Sequence, residues 1–191
     1  MPWAVTPDGV PLGVLDAWFW TRDRTTFGED KRHWLIEAEE SMRWLVGFAR
    51  CAELAATLPD TRLVYVADRE GDIHAFRVRA HRQPEIDWLI RAAQDRKLAE
   101  GDTLWDRLAR VPVLGEVSFT LPARPNRPSR PVVLMVRAER VTLPPKGGAP
   151  VTVTALRAQE ERPPAGVEPL DWRLLTNHPA ETLAAAAELI Q

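Results

Sequence analysis

The sequence has little of what marks several protein classes. It contains a single cysteine, Cys51, which excludes an intramolecular disulfide and any zinc site built from several cysteines. No apolar run approaches the ~20 residues that a membrane-spanning helix needs. The first eight residues carry neither a basic stretch nor a long apolar core, so no signal peptide is predicted. We therefore expect a cytoplasmic protein that has no membrane partner.

Neither sign of charge dominates the composition. The chain has 25 lysine and arginine residues against 27 aspartate and glutamate residues, a formal net charge of −2 over 191 residues. Any contact with nucleic acid must therefore come from a local basic patch rather than from the field of the whole protein. Hydrophobic residues make up 45% of the chain, which suffices for one substantial core and excludes a largely disordered chain.

The first half of the chain alternates strand and helix patterns. The pair Asp8-Gly9 between two apolar segments predicts a tight hairpin. Apolar residues then recur at spacings of three and four over 35–55, including Met42, which predicts an amphipathic helix packed on a sheet. Further strands are predicted at 63–67 and 87–92, and further helices from residue 73 and over 103–110.

The second half is rich in β patterns separated by proline-rich turns. Apolar or alternating runs at 116–120, 132–136 and 151–156 are typical of an antiparallel sheet. A strand at 172–176 and a helix opening near residue 179 complete the prediction. The sequence therefore predicts an α/β fold, a mixed sheet with flanking helices and an antiparallel β-rich part.

The strongest chemical feature is an acidic turn after the strand at 63–67. Asp68, Glu70 and Asp72 place three carboxylates within five residues, and carboxylate oxygens are the ligands that Mg²⁺ prefers. The structural alternative is that Asp68 ends the strand and Asp72 caps the following helix. Spacing alone leaves both interpretations open.

Three segments together resemble a known family. The segment 66–74, Val-Ala-Asp-Arg-Glu-Gly-Asp-Ile-His, resembles the second-aspartate motif of bacterial cut-and-paste DDE transposases from insertion sequences. The segment 88–91 is similar to the strand whose arginine, here Arg91, contacts DNA near the active site. The segment 169–177 resembles the return strand, whose tryptophan, here Trp172, stacks on a base flipped out during DNA hairpin formation.

The resemblance implies an RNase H-like catalytic core in which two aspartates and a glutamate bind two Mg²⁺ or Mn²⁺ ions. Asp68 is then the metal ligand and catalytic carboxylate, and DNA at transposon ends is the partner. It also implies a division of the chain into three parts: a partial RNase H-like core at 1–112, an inserted antiparallel β-subdomain at 113–160, and the return strand with the start of a core helix at 161–191.

Two of the three carboxylates that the family pattern requires have no counterpart. In the family the first aspartate precedes the opening hairpin, and the glutamate follows the position of Leu189-Ile190 in a Tyr-x-x-Arg-x-x-x-Glu-x-x-x-x-x-x-Lys pattern. In-line attack on a phosphodiester needs two cations about 4 Å apart, which one carboxylate cannot hold. We therefore expect a transposase truncated at both ends, with weak or absent metal binding and no cleavage of DNA by itself.

Two other functions remain open at this stage. The chain could be a non-catalytic, transposase-derived module that binds DNA, a full-length transposase or the product of a split gene. It could also be an unrelated α/β binding domain whose acidic turn is structural. Trp172, a strand residue beside Leu174, could equally belong to the core.

A basic stretch in the β-rich part gives further candidates for phosphate contacts. Arginines recur there every few residues, and they could lie along a DNA backbone. The alternative is a solvated loop whose charge the acidic remainder offsets. The candidates are Arg124, Arg127 and Arg130, followed by Arg137 and Arg140.

Overall fold

A computed structural model describes residues 2–17, 31–125, 128–144 and 150–190, and the side chains from residue 42 onward within the first helix. In these ranges the chain forms a mixed α/β fold with four α-helices and two sheets. The helices are α1 Lys31–Ala55, α2 His74–His81, α3 Leu104–Arg110 and α4 Leu183–Ile190.

Eight strands are present in the described ranges. They are β1 Trp3–Val5, β2 Pro11–Val14, β3 Val64–Ala67, β4 Asp87–Arg91, β5 Gly115–Leu121, β6 Arg130–Leu143, β7 Val151–Glu160 and β8 Asp171–Thr176. β1 and β2 form the predicted antiparallel hairpin, in which Gly9 takes the positive φ of 78° that its turn requires. The other six strands form one sheet in the order β3-β4-β8-β7-β6-β5.

The six-stranded sheet is mixed, as the sequence predicts. β3 and β4 are parallel and joined through α2, whereas every other neighbouring pair is antiparallel. The strands from the β-rich part thus continue, through β8, into the sheet that contains β3. The boundary at 112/113 and the term subdomain for 113–160 stay predictions.

Most predicted elements are found, but the lengths of the later strands are wrong in the prediction. β6 covers 14 residues and β7 covers 10, where the sequence predicts runs of five and six. Register explains the difference, because the two strands pair continuously from Leu134↔Glu160 to Leu143↔Val151. A long antiparallel ladder holds charged residues such as Arg137 and Glu139 in strand conformation, although they interrupt the apolar pattern.

The core consists of two clusters that share the sheet. Along a strand successive side chains point to opposite faces, so Trp88 and Ile90 join one cluster while Leu89 joins the other. The first cluster includes residues of α1, α2 and α3, and the second includes residues of α4 and of β5 and β6. Both faces of the sheet are therefore covered.

Helix α1 packs through a face that only partly matches the predicted one. Phe48 and Ala52 are buried as expected, and so is Cys51, whose burial raises the pKa of the thiol. Met42, placed by its spacing on the apolar face, is instead 52% exposed, so this part of the prediction is wrong. The residues just after it that pack against the first core cluster are Trp44 and Leu45.

The hairpin presents an apolar face to solvent. Trp3 and Val14 are paired in register, and with Val5 and Leu12 they are among the most exposed large hydrophobic residues of the described chain. A two-stranded hairpin alone is at best marginally stable in water, and the described residues do not supply cover for this face.

None of the described helices is long and apolar enough to cross a membrane.

Candidate functional site

Asp68 lies at the carboxyl end of β3, where the sheet gives way to a turn. Its backbone is extended, and its side-chain Oδ1 accepts a hydrogen bond of 2.7 Å from the amide of Arg69, which begins a short 3₁₀ turn over Arg69–Gly71. The Asp68 side chain is 68% exposed. The interpretation that Asp68 ends the strand is therefore confirmed, and its carboxylate faces solvent.

The turn after Asp68 is packed closely against β3 and α1. A Cβ atom added to Gly71 would lie 2.7 Å from the Cβ of Ala67 and 3.6 Å from the ring of Trp44. Glycine is thus required here for close approach rather than for an unusual φ. The sharp turn directs the residues after Asp68 away from it.

Arg91 is brought beside Asp68 by the parallel register of β3 and β4. Because Ala67 pairs with Ile90, the next residue of each strand lies at the same end of the sheet. Arg91 Nη1 is 3.7 Å from Asp68 Oδ1, which is an ion pair but longer than a hydrogen bond. The guanidinium therefore keeps donors available for another acceptor.

Trp172 lies at the same end of the sheet, at the start of β8. Its ring stacks on that of Phe119, with centroids 5.8 Å apart and 21° between the planes, and it packs against the second core cluster. It is only half-buried and also lines an open pocket. Trp172 is thus a core residue on one side and a pocket residue on the other.

Arg91 and Trp172 line the same pocket, which has a volume of about 750 Å³. Sequence reasoning names these two residues but misses the others. Arg69, Trp105 and Arg173 supply cationic and aromatic groups, the last with its guanidinium carbon 4.5 Å above the ring of Trp105. The remaining wall is formed by Ala92, Ala93 and the segment 167–171.

The ion pairs around Asp171 form the rim of the pocket. Arg157 Nε donates to its Oδ1 at 2.9 Å, and Arg173 Nη2 donates to its Oδ2 at 2.7 Å. Burial raises the pKa of Asp171, but the hydrogen bonds and charges of both arginines outweigh burial and hold the pKa below its usual value. The carboxylate is therefore ionised near neutral pH, between two cations.

Asp72 does not cap the following helix, so that part of the structural alternative is wrong. The residue before α2 is Ile73, which provides no side-chain cap. The Asp72 side chain is instead 1% exposed, where it bonds the guanidinium groups of Arg77 and Arg96 and accepts from the amide of Ala93 at 2.8 Å. Burial beside a second arginine lowers the pKa of Arg77 to about 10.

The buried Asp72 therefore connects two segments that carry candidate site residues. Its own turn follows Asp68, and Ala93 follows Arg91 by two residues. An acidic residue read from the sequence as a possible metal ligand serves here to join the ends of β3 and β4. Only the buried partners, which the sequence does not reveal, distinguish the two roles.

The residues around Asp68 do not fit a bound divalent cation. Glu70 is paired with Arg43, and Asp72 points into the protein toward its two arginines. Within the described residues no group of three or more histidine, cysteine, aspartate or glutamate side chains could hold a metal ion. Asp68 therefore offers a single carboxylate that already has a cation, Arg91, beside it.

The basic stretch does not extend the pocket. Arg124 is exposed and Arg130 donates two hydrogen bonds to the buried carboxylate of Glu160, and neither lines the pocket with Arg91. Arg127 lies outside the described residues. Their role as DNA contacts stays a prediction.

No model of a known protein family matches the sequence.

Proposed function

We propose that this chain is the central part of an RNase H-like DDE transposase core, which binds DNA containing unpaired bases and does not cleave DNA by itself. The observation that carries the proposal is the pocket shared by Arg91 and Trp172, with Asp68 beside Arg91. These residues are 23 and 81 positions apart along the chain, and the resemblance names them independently of any contact.

The chemistry of the pocket suits an unpaired nucleotide. An aromatic ring provides a stacking surface for a base, which contributes roughly 1–3 kcal/mol per base. The planar guanidinium of Arg91 matches the geometry of a phosphate group. A base inside a duplex is already stacked and cannot reach Trp172, so the pocket favours gaps, hairpin ends and distorted DNA over plain duplex.

The expected lack of DNA cleavage follows from the small number of carboxylates that are available to bind metal ions. Two-metal cleavage clamps the attacking and leaving oxygens between two cations held by several acidic ligands. Of the three carboxylates in the acidic turn after β3 only Asp68 is available, because Glu70 and Asp72 are engaged by arginines. Asp68 thus marks the position of a catalytic ligand in the proposed family without forming a complete site.

The proposal is tested by fluorescence anisotropy with a gapped DNA hairpin and with the matching duplex. The parent chain should bind the gapped hairpin more tightly, and Trp172→Leu should remove most of that preference. Phe119→Leu is the matched control, because it breaks the same ring stack but changes no residue that lines the pocket. It should weaken binding slightly, since Trp172 loses one support, but keep the preference for the gapped hairpin. Equal binding of both DNAs by the parent would contradict the proposal.

The same preparation tests the lack of cleavage. Supercoiled plasmid incubated with the chain and Mn²⁺ should remain uncut. Metal-dependent nicking that Asp68→Asn abolishes would show that the described carboxylates suffice, and the proposed function would then be that of an active nuclease.

A second function, binding to a transposase chain, is favoured by the outer edge of the sheet. In the described part of the protein β3 pairs only with β4, and Val66 on this edge strand is 66% exposed. An exposed apolar edge strand can accept a further strand from a partner. The test is copurification of this chain with the complete transposase of the same insertion sequence. Copurification that Val66→Lys abolishes and Arg62→Gln preserves would support this function.

A further inference from the structure

The pocket has a second wall that the proposed function leaves without a role. Successive residues of a strand point to opposite faces, so Arg173 lies on the other face of β8 from Trp172. There its guanidinium covers the ring of Trp105. Since Arg173, Trp105 and Trp172 line one pocket, that pocket wraps around the first residues of β8.

Arg173 is held in place on two sides. The Trp105 ring lies against the plane of its guanidinium, and Asp171 accepts from its Nη2. Among the described residues Nη1 makes no hydrogen bond, so the side chain keeps donors for a ligand. A guanidinium fixed by stacking and by one carboxylate loses little entropy when it binds an anion.

The charges of the pocket favour an anionic ligand. Asp171 is shared between Arg173 and Arg157, so this cluster carries more positive than negative charge. Arg69 makes no ion pair within the described residues, and Arg91 has only its 3.7 Å contact with Asp68. Glu168 also lines the pocket, so its lining carries three arginines against two carboxylates, Glu168 and Asp171. This small local excess of cations contrasts with the net charge of −2 of the whole chain.

We propose that Arg173, supported by Trp105 and Asp171, binds the phosphate of the nucleotide whose base stacks on Trp172. This inference rests on the proposed function, which supplies the unpaired base, and adds the phosphate and its ligand. A pocket of about 750 Å³ is within the ~300–1,000 Å³ range of small-molecule sites, so a base and its phosphate fit together. The shared chemistry is an aromatic base that carries a phosphate, either in a free nucleotide or in an unpaired stretch of DNA.

The experiment measures DNA affinity and asks whether the loss caused by removing the phosphate charge depends on the presence of Arg173. Two gapped hairpins are compared, one with a natural phosphodiester and one with a neutral methylphosphonate next to the unpaired base. For the parent chain the neutral linkage should weaken binding about tenfold, the size expected when one charge-assisted contact is lost. For Arg173→Gln the two hairpins should bind equally, because the contact is already absent.

Trp105→Leu and Arg62→Gln complete the design. Trp105→Leu leaves Arg173 without its stacking support and should reduce the effect of the neutral linkage, which keeps the test valid if Arg173→Gln folds poorly. Arg62 pairs with Asp87 at the opposite end of β4, so Arg62→Gln should preserve the parent's full response. Thermal melting of each variant verifies folding.

A third set of titrations separates the two sources of the ligand. Thymidine 5′-monophosphate is compared with thymidine and with inorganic phosphate in the parent and in Arg173→Gln. Binding of the monophosphate that depends on Arg173 would identify a free nucleotide as a ligand. If only the gapped hairpin shows this dependence, the source is DNA.

The outcomes distinguish this inference from the proposed function. If the gapped hairpin binds through Trp172 but the neutral linkage weakens the parent and Arg173→Gln equally, the phosphate subsite is wrong and the proposed function stands. If the parent does not prefer the gapped hairpin over duplex and also fails to bind the monophosphate, both are overturned.

Discussion

Trp172 and Phe119 stack with their ring centroids 5.8 Å apart, while Trp172 also lines the pocket that contains Arg91. The sequence leaves two interpretations of Trp172 open, a core residue or a residue that stacks on a base. The structure is compatible with both, because Trp172 packs on Phe119 and also lines the pocket. A ring fixed on one side by the core is pre-organised for a ligand on the other, which lowers the entropic cost of binding.

Metal binding should be weak. Asp68 is a lone exposed carboxylate beside Arg91, and affinity for hard cations rises with the number of charged ligands. We expect a dissociation constant for Mg²⁺ or Mn²⁺ in roughly the millimolar range or weaker by isothermal titration calorimetry. Glu70→Gln serves as the control. Micromolar affinity that Asp68→Ala removes would show that a second ligand completes a site.

Replacement of Asp72 should strongly destabilise the protein. Asp72→Asn leaves the buried guanidinium groups of Arg77 and Arg96 without their counter-charge, a change that typically costs about 3–5 kcal/mol. The matched control Asp87→Asn removes a more exposed pair with Arg62 and should cost about 0–1 kcal/mol. Urea unfolding measures both. Equal losses in the two variants would refute the role assigned to Asp72.

The turn that carries Asp68 should tolerate no side chain at position 71. Gly71→Ala places a Cβ 2.7 Å from that of Ala67 and should lower the free energy of unfolding by about 1–3 kcal/mol through overpacking. The double variant with Ala67→Gly removes the clash. Chemical denaturation should therefore show a smaller loss in the double variant than the sum of the two single losses. Strict additivity would mean that the close approach has no energetic consequence.

Acid should weaken one ion pair of the β-rich part. Hydrogen bonds from Arg130 hold the pKa of Glu160 below its usual 4.5. A carboxylate whose pKa is lowered by folding stabilises the protein above its unfolded pKa, and this contribution is lost as the pH falls through the lower, folded value. The parent should be more stable than Glu160→Gln at pH 7, with the difference shrinking below pH 4.5.

Urea midpoints measured between pH 7 and pH 3 test this expectation. The exposed Glu53, paired with Arg50 on α1, provides the control Glu53→Gln, whose difference from the parent should be small throughout. A difference between the parent and Glu160→Gln that does not change over this range would contradict the assigned pair.

Local patterns sufficed to predict the elements but not their partners. The Asp8-Gly9 turn, the strand ending at Ala67 and the helix through Phe48 follow from turn chemistry and apolar spacing. Continuous pairing of β6 with β7 could not be predicted, because charged residues such as Arg137 and Glu139 interrupt the apolar pattern on which strand prediction depends. The exposure of Met42 has a different cause, since helix spacing does not specify where a neighbouring element ends.

The candidate site was likewise predicted only in part. The family resemblance names Asp68, Arg91 and Trp172, and the structure brings Arg91 close to Asp68 and into one pocket with Trp172. Trp105 and Arg173 carry no motif, and only their contact across the pocket wall identifies them. Asp72 looks like a metal ligand in the sequence because the arginines that neutralise it lie five and 24 residues away.

The central claim is that a base from unpaired DNA stacks on Trp172 in the pocket. The most direct measurement uses a gapped hairpin whose unpaired base is 2-aminopurine, which loses fluorescence when it stacks on an aromatic ring. The parent chain and Phe119→Leu should quench this fluorescence on binding, whereas Trp172→Leu should leave it largely unquenched at saturating protein. Equal quenching by the parent and by Trp172→Leu, or none by either, would contradict the account.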